Sequence, residues 1–275
     1  MKHMVCLKEL TLNRTPIKEL PLSIKDMVCL EYLTLSRTPI KELPELPPSL
    51  KTLKAHDCAS LKTVTSTINI CFKWDFRNCF KLDQKQLIEA MHLKIQSGEE
   101  IPRGGIHMVL PGSEIPEWFC DKGIGSSVTI QLPSNCHQLK GIAFCLVFLL
   151  PAPSQDMPYK VDDIYVNLYL DYHVKSKNSE HDGDDEVVLD SQKSLLLRYL
   201  IRPCDSDHMI LHYELKLVNH LRKYSDNEVT FKFYWGRMRD HESRRPYELK
   251  SCGVYLHFDE NLRADKKFKR KFWEI

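Results

Sequence analysis

Hydrophobic positions in the first part of the chain recur with a period too long for a single helix or strand. Met4 to Pro21, MVCLKELTLNRTPIKELP, returns 23 residues later as MVCLEYLTLSRTPIKELP from Met27 to Pro44, with fifteen of eighteen positions identical. Leu7, Leu10, Leu12, Ile17 and Leu20 come back as Leu30, Leu33, Leu35, Ile40 and Leu43, and a degenerate third copy sets Leu50, Leu53, Ala55 and Cys58 in the same frame. A short strand fits each L-x-L, because leucines two apart share one face and the residue between them takes the other. Later in the chain the period becomes a plain alternation. Val128, Ile130 and Leu132, then Val166, Leu168 and Leu170, then Met209, Leu211 and Tyr213 alternate with other residues. Val229, Phe231, Phe233 and Trp235, and Cys252, Val254, Leu256 and Phe258, do the same. Ile142 to Leu150 is apolar throughout, as in a central strand buried on both faces. These strand signals come without long intervening helices, which predicts an antiparallel sandwich.

The first pattern has the L-x-x-L-x-L spacing of a leucine-rich repeat, in which each coil buries its leucines only against neighbouring coils. Thr15, Thr38 and Cys58 occupy the position from which a side chain bonds the loop backbone. The outward rows are predicted as Glu9, Thr11, Asn13 and Arg14; Tyr32, Thr34, Ser36 and Arg37; and Thr52, Lys54, His56 and Asp57. They form a polar surface with one aromatic, suited to protein recognition, and Arg14, Tyr32, Arg37, Lys54 and His56 are the candidate contact residues. No polar cap precedes Leu7, so the repeats read as the end of a longer array.

Between the two patterns, Asn69 to Cys79 carries Phe72, Trp74, Phe76 and Cys79 and is predicted to plug the open end of the repeats. Asp83 and Gln86 have the spacing of a capping box, and Leu87, Ala90, Met91 and Ile95 follow at helical intervals, predicting a helix from Asp83 to Gln96. Ser97 to Gly105 breaks it. In Leu110 to Phe119, LPGSEIPEWF, the pair Pro111 and Gly112 suits a type II turn, with Trp118 and Phe119 as core anchors. Its rigidity is expected to set the angle between the two parts. The whole is α+β, mainly β: leucine-rich repeats over 1–65, a cap and linker helix over 66–105, a β-sandwich over 106–262 and a basic tail over 263–275.

Composition narrows the function classes. The chain has 275 residues, 43% hydrophobic and 28% charged, with a formal charge of +2, so no global field favours nucleic acid or an anionic membrane. The ten cysteines have neither CxxC pairs nor zinc-site spacing, which argues for buried free thiols in a reducing compartment. The amino terminus lacks a signal-peptide core, and Ile142 to Leu150 is well short of the roughly 20 residues of a membrane helix. A cytoplasmic protein is expected, with nuclear entry open. The acidic run Glu180 to Glu186 lacks the glycine and glutamate of an EF-hand loop and reads as an exposed loop; the basic cluster Lys266 to Lys271 reads as a solvated terminus. GxxxxGK[ST], GxSxG, GxGxxG and HExxH are all missing, and Cys120 has no neighbouring base. The expectation is a non-enzyme without catalytic residues, cofactor or metal.

The RTPIKELP repeats, SLKTLKAHDCASLKTV, FRNCFKL, LPGSEIPEWF, IGSSVTIQLP and KSCGVYL, in this order, resemble the C-terminal end of plant TIR-NB-LRR intracellular immune receptors. The later blocks resemble that family's C-terminal jelly-roll and Ig-like domain. The resemblance implies recognition of a pathogen effector by the repeats and the sandwich together. The family's TIR and nucleotide-binding domains have no counterpart in these residues, so neither activity carries over. Two other readings stay open: a truncated regulatory adaptor or decoy that pairs with a full-length receptor, and a glycan-binding jelly roll.

Overall fold

A computed structural model describes residues 6–65, 73–101, 104–150, 164–176, 188–201, 204–237 and 248–258. The acidic run 180–186 and the basic tail lie outside the described residues.

Four very short strands begin the fold: β1 (Glu9–Thr11) and β2 (Tyr32–Thr34), then β4 (Thr52–Lys54) and β6 (Lys73–Asp75). They pair in parallel, each with the next, so that Leu10, Leu33, Leu53 and Trp74 stand in one row. On the opposite side of the coils, β3 (Glu42–Leu43) pairs in parallel with β5 (Thr63–Val64). Three residues make too little strand to persist alone. The stack holds because Leu33, Leu35, Ile40, Leu43 and Leu53 are entirely buried, each such side chain contributing about 1.5–3 kcal/mol.

The expected side-chain bond to the loop is present in every rung. Thr15 and Thr38 donate to the carbonyls of Leu12 and Leu35, each at 2.7 Å. Cys58 and Cys79 continue the series, their thiols donating to Leu35 O at 3.2 Å and Ala55 O at 3.0 Å.

Three expectations for this region are corrected. Of the segment expected to plug the repeats, positions 69–72 lie outside the described residues, and the part from Lys73 is built into the stack. Lys73–Asp75 forms a fourth rung, with Trp74, Phe76 and Cys79 in the places that Leu53, Ala55 and Cys58 hold one rung earlier, all buried. Ser36 is not on the solvent face: it is 4% exposed, and its amide donates to Asn13 Oδ1 at 2.8 Å. Cys6 and Cys29, equivalent positions of neighbouring copies, are joined by a disulfide, so the cysteines are not all free thiols.

Helix α1 (Gln84–Gln96) follows, one residue later than predicted, with Asp83 as N-cap accepting from the Lys85 amide at 3.2 Å. Its buried residues, Leu87, Ala90, Met91 and Ile95, join the cluster that holds the rung leucines.

Next come β7 (Ile106–Pro111), β8 (Asp121–Ile124), β9 (Ser127–Gln131) and β10 (Leu139–Leu150). They are followed by β11 (Ile164–Lys175), β12 (Val188–Ile201) and β13 (Cys204–Glu214). A single-turn helix α2 (Val218–Leu221) precedes β14 (Glu228–Arg237) and β15 (Glu248–Phe258). One sheet has nine strands in the order β1-β2-β4-β6-β7-β13-β10-β15-β8, and a second has four in the order β12-β11-β14-β9. From β7 onward the pairings are antiparallel, and the apolar run of β10 lies between β13 and β15 as a central strand. Phe144, Leu146 and Phe148 of the first sheet and Leu170, Phe231 and Phe233 of the second belong to one core between the sheets. Phe144 meets Phe231 and Phe233 edge-on, both at 5.4 Å between centroids.

The joint differs from the expected turn at 110–119. Pro111 ends β7 opposite His208, and Gly112, at φ 144°, donates its amide to Asp207 O at 2.9 Å, so the ladder runs through the pair. The connection is made by β6 and β7, which pair in parallel with Trp74 opposite Met108, so the rung sheet passes without a break into the antiparallel one. Trp118 ties different elements together: it stacks on His92 of α1 at 4.5 Å and 6°, and meets Tyr255 of β15 edge-on at 5.2 Å. At Gly105, φ 71° and the backbone of Tyr213 pressed against the Cα leave no room for a side chain.

Candidate functional site

Register assigns the two faces of the nine-stranded sheet. The row Leu10, Leu33, Leu53, Trp74, Met108, Leu211 and Cys145 points into the cluster shared with α1. The rows on either side of it point the other way. In one of them Thr11, Thr34, Lys54 and Asp75 lead to Val109, Ile210 and Leu146, which belong to the core between the sheets. The same face is therefore polar over the rungs, exposed at Thr11 and Lys54 and buried at Asp75, and the floor of a sandwich core farther along. The rung part of this face thus adjoins, across β6 and β7, the part that the second sheet covers.

All five predicted contact residues lie on the rung side of this face. Tyr32 on β2 is 44% exposed, and Lys54 on β4 is exposed. Arg14, exposed, and Arg37, half-buried, stand in the turns that follow β1 and β2. His56 follows β4 and is half-buried, its Nδ1 at 2.9 Å from Asp57 Oδ2. The structure brings Arg37 and His56 together through Asp57 and leaves Arg14, Tyr32 and Lys54 presented outward.

The turns are built alike. Arg14, Arg37, Asp57 and Asn78 have φ between 59° and 63°, a left-handed conformation that costs a non-glycine residue on the order of 1–3 kcal/mol. The ladder offsets that cost. Each turn amide donates to the next rung: Arg14 N to Ser36 O at 2.9 Å, Arg37 N to His56 O at 3.0 Å, and Asp57 N to Arg77 O at 2.8 Å. Asn78 has no further rung to reach. Its amide donates instead to Nε2 of His208 on β13, at 3.1 Å, while His208 Nδ1 lies 2.9 Å from Ser206 O. Those two bonds require the neutral ring with its proton on Nδ1, and burial lowers the pKa of His208 accordingly.

A polar chain follows the turns across the rungs. Asp57 accepts from Arg37 Nε at 3.4 Å and from Asn78 Nδ2 at 2.6 Å. Burial alone would raise its pKa, but hydrogen bonds from His56, Asn78 and Arg37 outweigh it and hold the carboxyl far below the usual range. Asp75 and Arg77 form a two-pronged pair, Nε to Oδ1 at 2.8 Å and Nη2 to Oδ2 at 2.6 Å, both side chains almost wholly buried. Beside them His107 of β7 and His212 of β13, paired across the strands, put their rings 6.1 Å apart, with Glu214 at 3.7 Å from His212. Burial, with the nearby His212 and Lys73, pushes the His107 pKa down to about 3. Phe80, 56% exposed, lies edge-on to His208 at 6.0 Å.

Sequence reasoning missed Asp75, Arg77, Asn78, Phe80 and the three histidines. A signal existed for Asn78, which stands 21 residues after Asp57 as Trp74 does after Leu53. The histidines reach the site only through pairing of distant strands.

The C-JID domain family model matches residues 110–263. Among curated proteins, the chain is 28% identical over 191 residues to the disease resistance-like protein CSA1 of Arabidopsis thaliana, covering 62% of this chain and 15% of that one. It is 33% identical over 134 residues to the disease resistance protein RPS4B, covering 41% and 11%, and 24% identical over 240 residues to the disease resistance-like protein DSC1, covering 77% and 19%, both from the same plant. The chain thus spans less than a fifth of the length of each of these relatives. With the matched domain filling more than half of its residues, the chain belongs to the C-JID domain family and corresponds to a C-terminal part of plant disease resistance receptors.

Proposed function

We propose that this chain is the protein-recognition module of a plant disease resistance receptor, binding a pathogen effector where its rungs adjoin its sandwich. In this reading the rungs are a short leucine-rich-repeat solenoid and the later strands a jelly-roll and Ig-like sandwich. The observation that carries it is the nine-stranded sheet, which runs unbroken from a polar face to a covered core and so places the two parts of one face in fixed relation. Tyr32 and Phe80 supply exposed aromatic anchors and Arg14 and Arg37 supply guanidinium groups, residue types enriched at interfaces, and Lys54 adds charge.

The module works in the cytoplasm by binding, without chemistry of its own. Its partner is an effector or a full-length receptor for which it serves as adaptor. Co-purification of the intact chain with a candidate effector, compared with a Tyr32→Ala, Phe80→Ala double variant, tests the reading. Loss of capture by a variant that keeps its melting temperature supports it, and undiminished capture contradicts it. The glycan reading would want an open aromatic platform. Tyr169 and Tyr234 stack at 5.4 Å on the outer face of the four-stranded sheet, but Lys193 Nζ sits over both rings, at 5.2 and 4.8 Å.

A further inference from the structure

Charge is not spread evenly around the rungs. The strand side, residues 8–14, 31–37, 51–57 and 73–77, carries seven Lys or Arg against four Asp or Glu. The remaining residues 15–30, 38–50 and 58–65 carry four against four. Three of the four carboxylates on the strand side are already engaged within the ladder: Glu31 by Lys51 at 2.9 Å, Asp57 by Arg37, and Asp75 by Arg77. Arg14 and Lys54 are exposed, while Tyr32 stands 44% exposed on the strand between them. The fourth carboxylate, Glu9, is exposed directly opposite Tyr32, so the outcome is a face with Arg14 and Lys54 outward on the rungs to either side of Tyr32 and three of its four acids occupied.

We infer that this face takes an acidic polypeptide segment, its carboxylates meeting Arg14 and Lys54 and an apolar side chain resting on Tyr32. The inference rests on the recognition reading above and specifies the chemistry of the partner. Charge complementarity of this kind sets association rate and partner choice more than raw affinity. A protein segment is favoured over nucleic acid because the exposed Glu9 opposite Tyr32 interrupts a continuous line of phosphates, while a peptide can place an apolar side chain there.

The test is fluorescence anisotropy of a labelled oligoglutamate peptide with the purified full chain. Uncharged glycine-serine peptide, oligolysine and oligothymidine of similar length serve as comparisons. Oligoglutamate should bind saturably and weaken as salt rises from about 50 to about 300 mM, where screening shortens the reach of surface charge. Arg14→Glu with Lys54→Glu should weaken it at least about tenfold, while Lys18→Glu with Lys41→Glu on the other side should change it less than about twofold. Absence of saturable binding, equal weakening by both pairs of reversals, or tighter binding of oligothymidine overturns the inference. If an effector is captured through Tyr32 and Phe80 and its affinity is untouched by Arg14→Glu with Lys54→Glu, the acidic-partner inference falls and the recognition reading stands.

Discussion

Residues that close the rungs carry conformations their side chains do not favour, and the hydrogen bonds around them decide what a substitution costs. Asn78, at φ 62°, gives one amide bond to His208 and one side-chain bond to Asp57. Asn78→Ala and Asn78→Gly both lose the bond to Asp57, so the difference between them isolates the backbone. The alanine variant should be less stable than the glycine variant by about 1 kcal/mol in urea unfolding, since glycine enters the left-handed region without strain. Titration gives a second expectation. His107 and His208 both have folded pKa values below that of the unfolded chain, His107 down to about 3. Between those values and the unfolded value of about 6.5 the unfolded chain binds more protons, so stability is complete above about pH 6.5 and falls as pH drops. Each group adds a slope of up to about 1.4 kcal/mol per pH unit. Stability measured at pH 7, 6, 5 and 4 should decline, and His107→Gln should flatten the decline. A pH-independent wild type would rule out the buried neutral rings.

Among the elements, β6 stands at the joint, pairing with β4 of the rungs on one side and with β7, the first of the antiparallel strands, on the other. Its Asp75 is bonded to Arg77 two residues on, with little solvent contact. Asp75→Ala takes the two-pronged carboxylate away from a buried guanidinium and should cost about 3–5 kcal/mol. Asp75→Ala combined with Arg77→Met should recover most of that loss, which a double-mutant cycle measures directly. This strand was also the element least legible in the sequence. The first two rungs announce themselves by near-identical copies with leucine at every inward position. In the fourth, Trp74, Phe76 and Cys79 take those positions, and the interval between equivalent residues runs 23, 20 and 21. A larger side chain with a changed period still fills the stack, because the coil needs apolar volume at that point rather than leucine. The alternating strands β9, β11, β14 and β15 were legible for a related reason, each burying that face on the core between the sheets, while the alternation of β13 at Met209, Leu211 and Tyr213 is buried in the cluster shared with the rungs. The edge strand β12 was not: its residues opposite Leu170, Tyr172 and Val174 are Ser194, Gln192 and Asp190, polar where the alternation rule looks for apolar side chains. Of the five proposed contact residues, all were readable as outward positions. The polar chain that holds two of them in place depends on Asn78 and His208, residues 130 apart, and local patterns carry no trace of such a pairing.

Among the described residues, the molecule has two cores that share one uninterrupted nine-stranded sheet, and this bears on how it unfolds. The rung cluster already contains Met108, Leu211, Cys145 and Tyr255 from β7, β13, β10 and β15, strands whose other face floors the second core. Loosening the rungs therefore strips one face of the strands on which the second sheet packs. Such shared strands favour a single cooperative transition over two independent ones. Leu33 and Phe231 make the case testable, one wholly buried among the rungs and the other wholly buried between the sheets. Leu33→Ala should cost about 2–5 kcal/mol and Phe231→Ala about 3–5 kcal/mol. Under hydrogen exchange, Leu33→Ala should lower the protection of the most stable amides in β14 by nearly the same free energy as in β2, although no residue of β14 touches the first sheet through a ladder bond. Protection lost in the rungs alone would instead describe two units joined by a passive seam. In that case the junction between them would have no fixed geometry to offer a partner, and the recognition reading would have to rest on the rung face by itself.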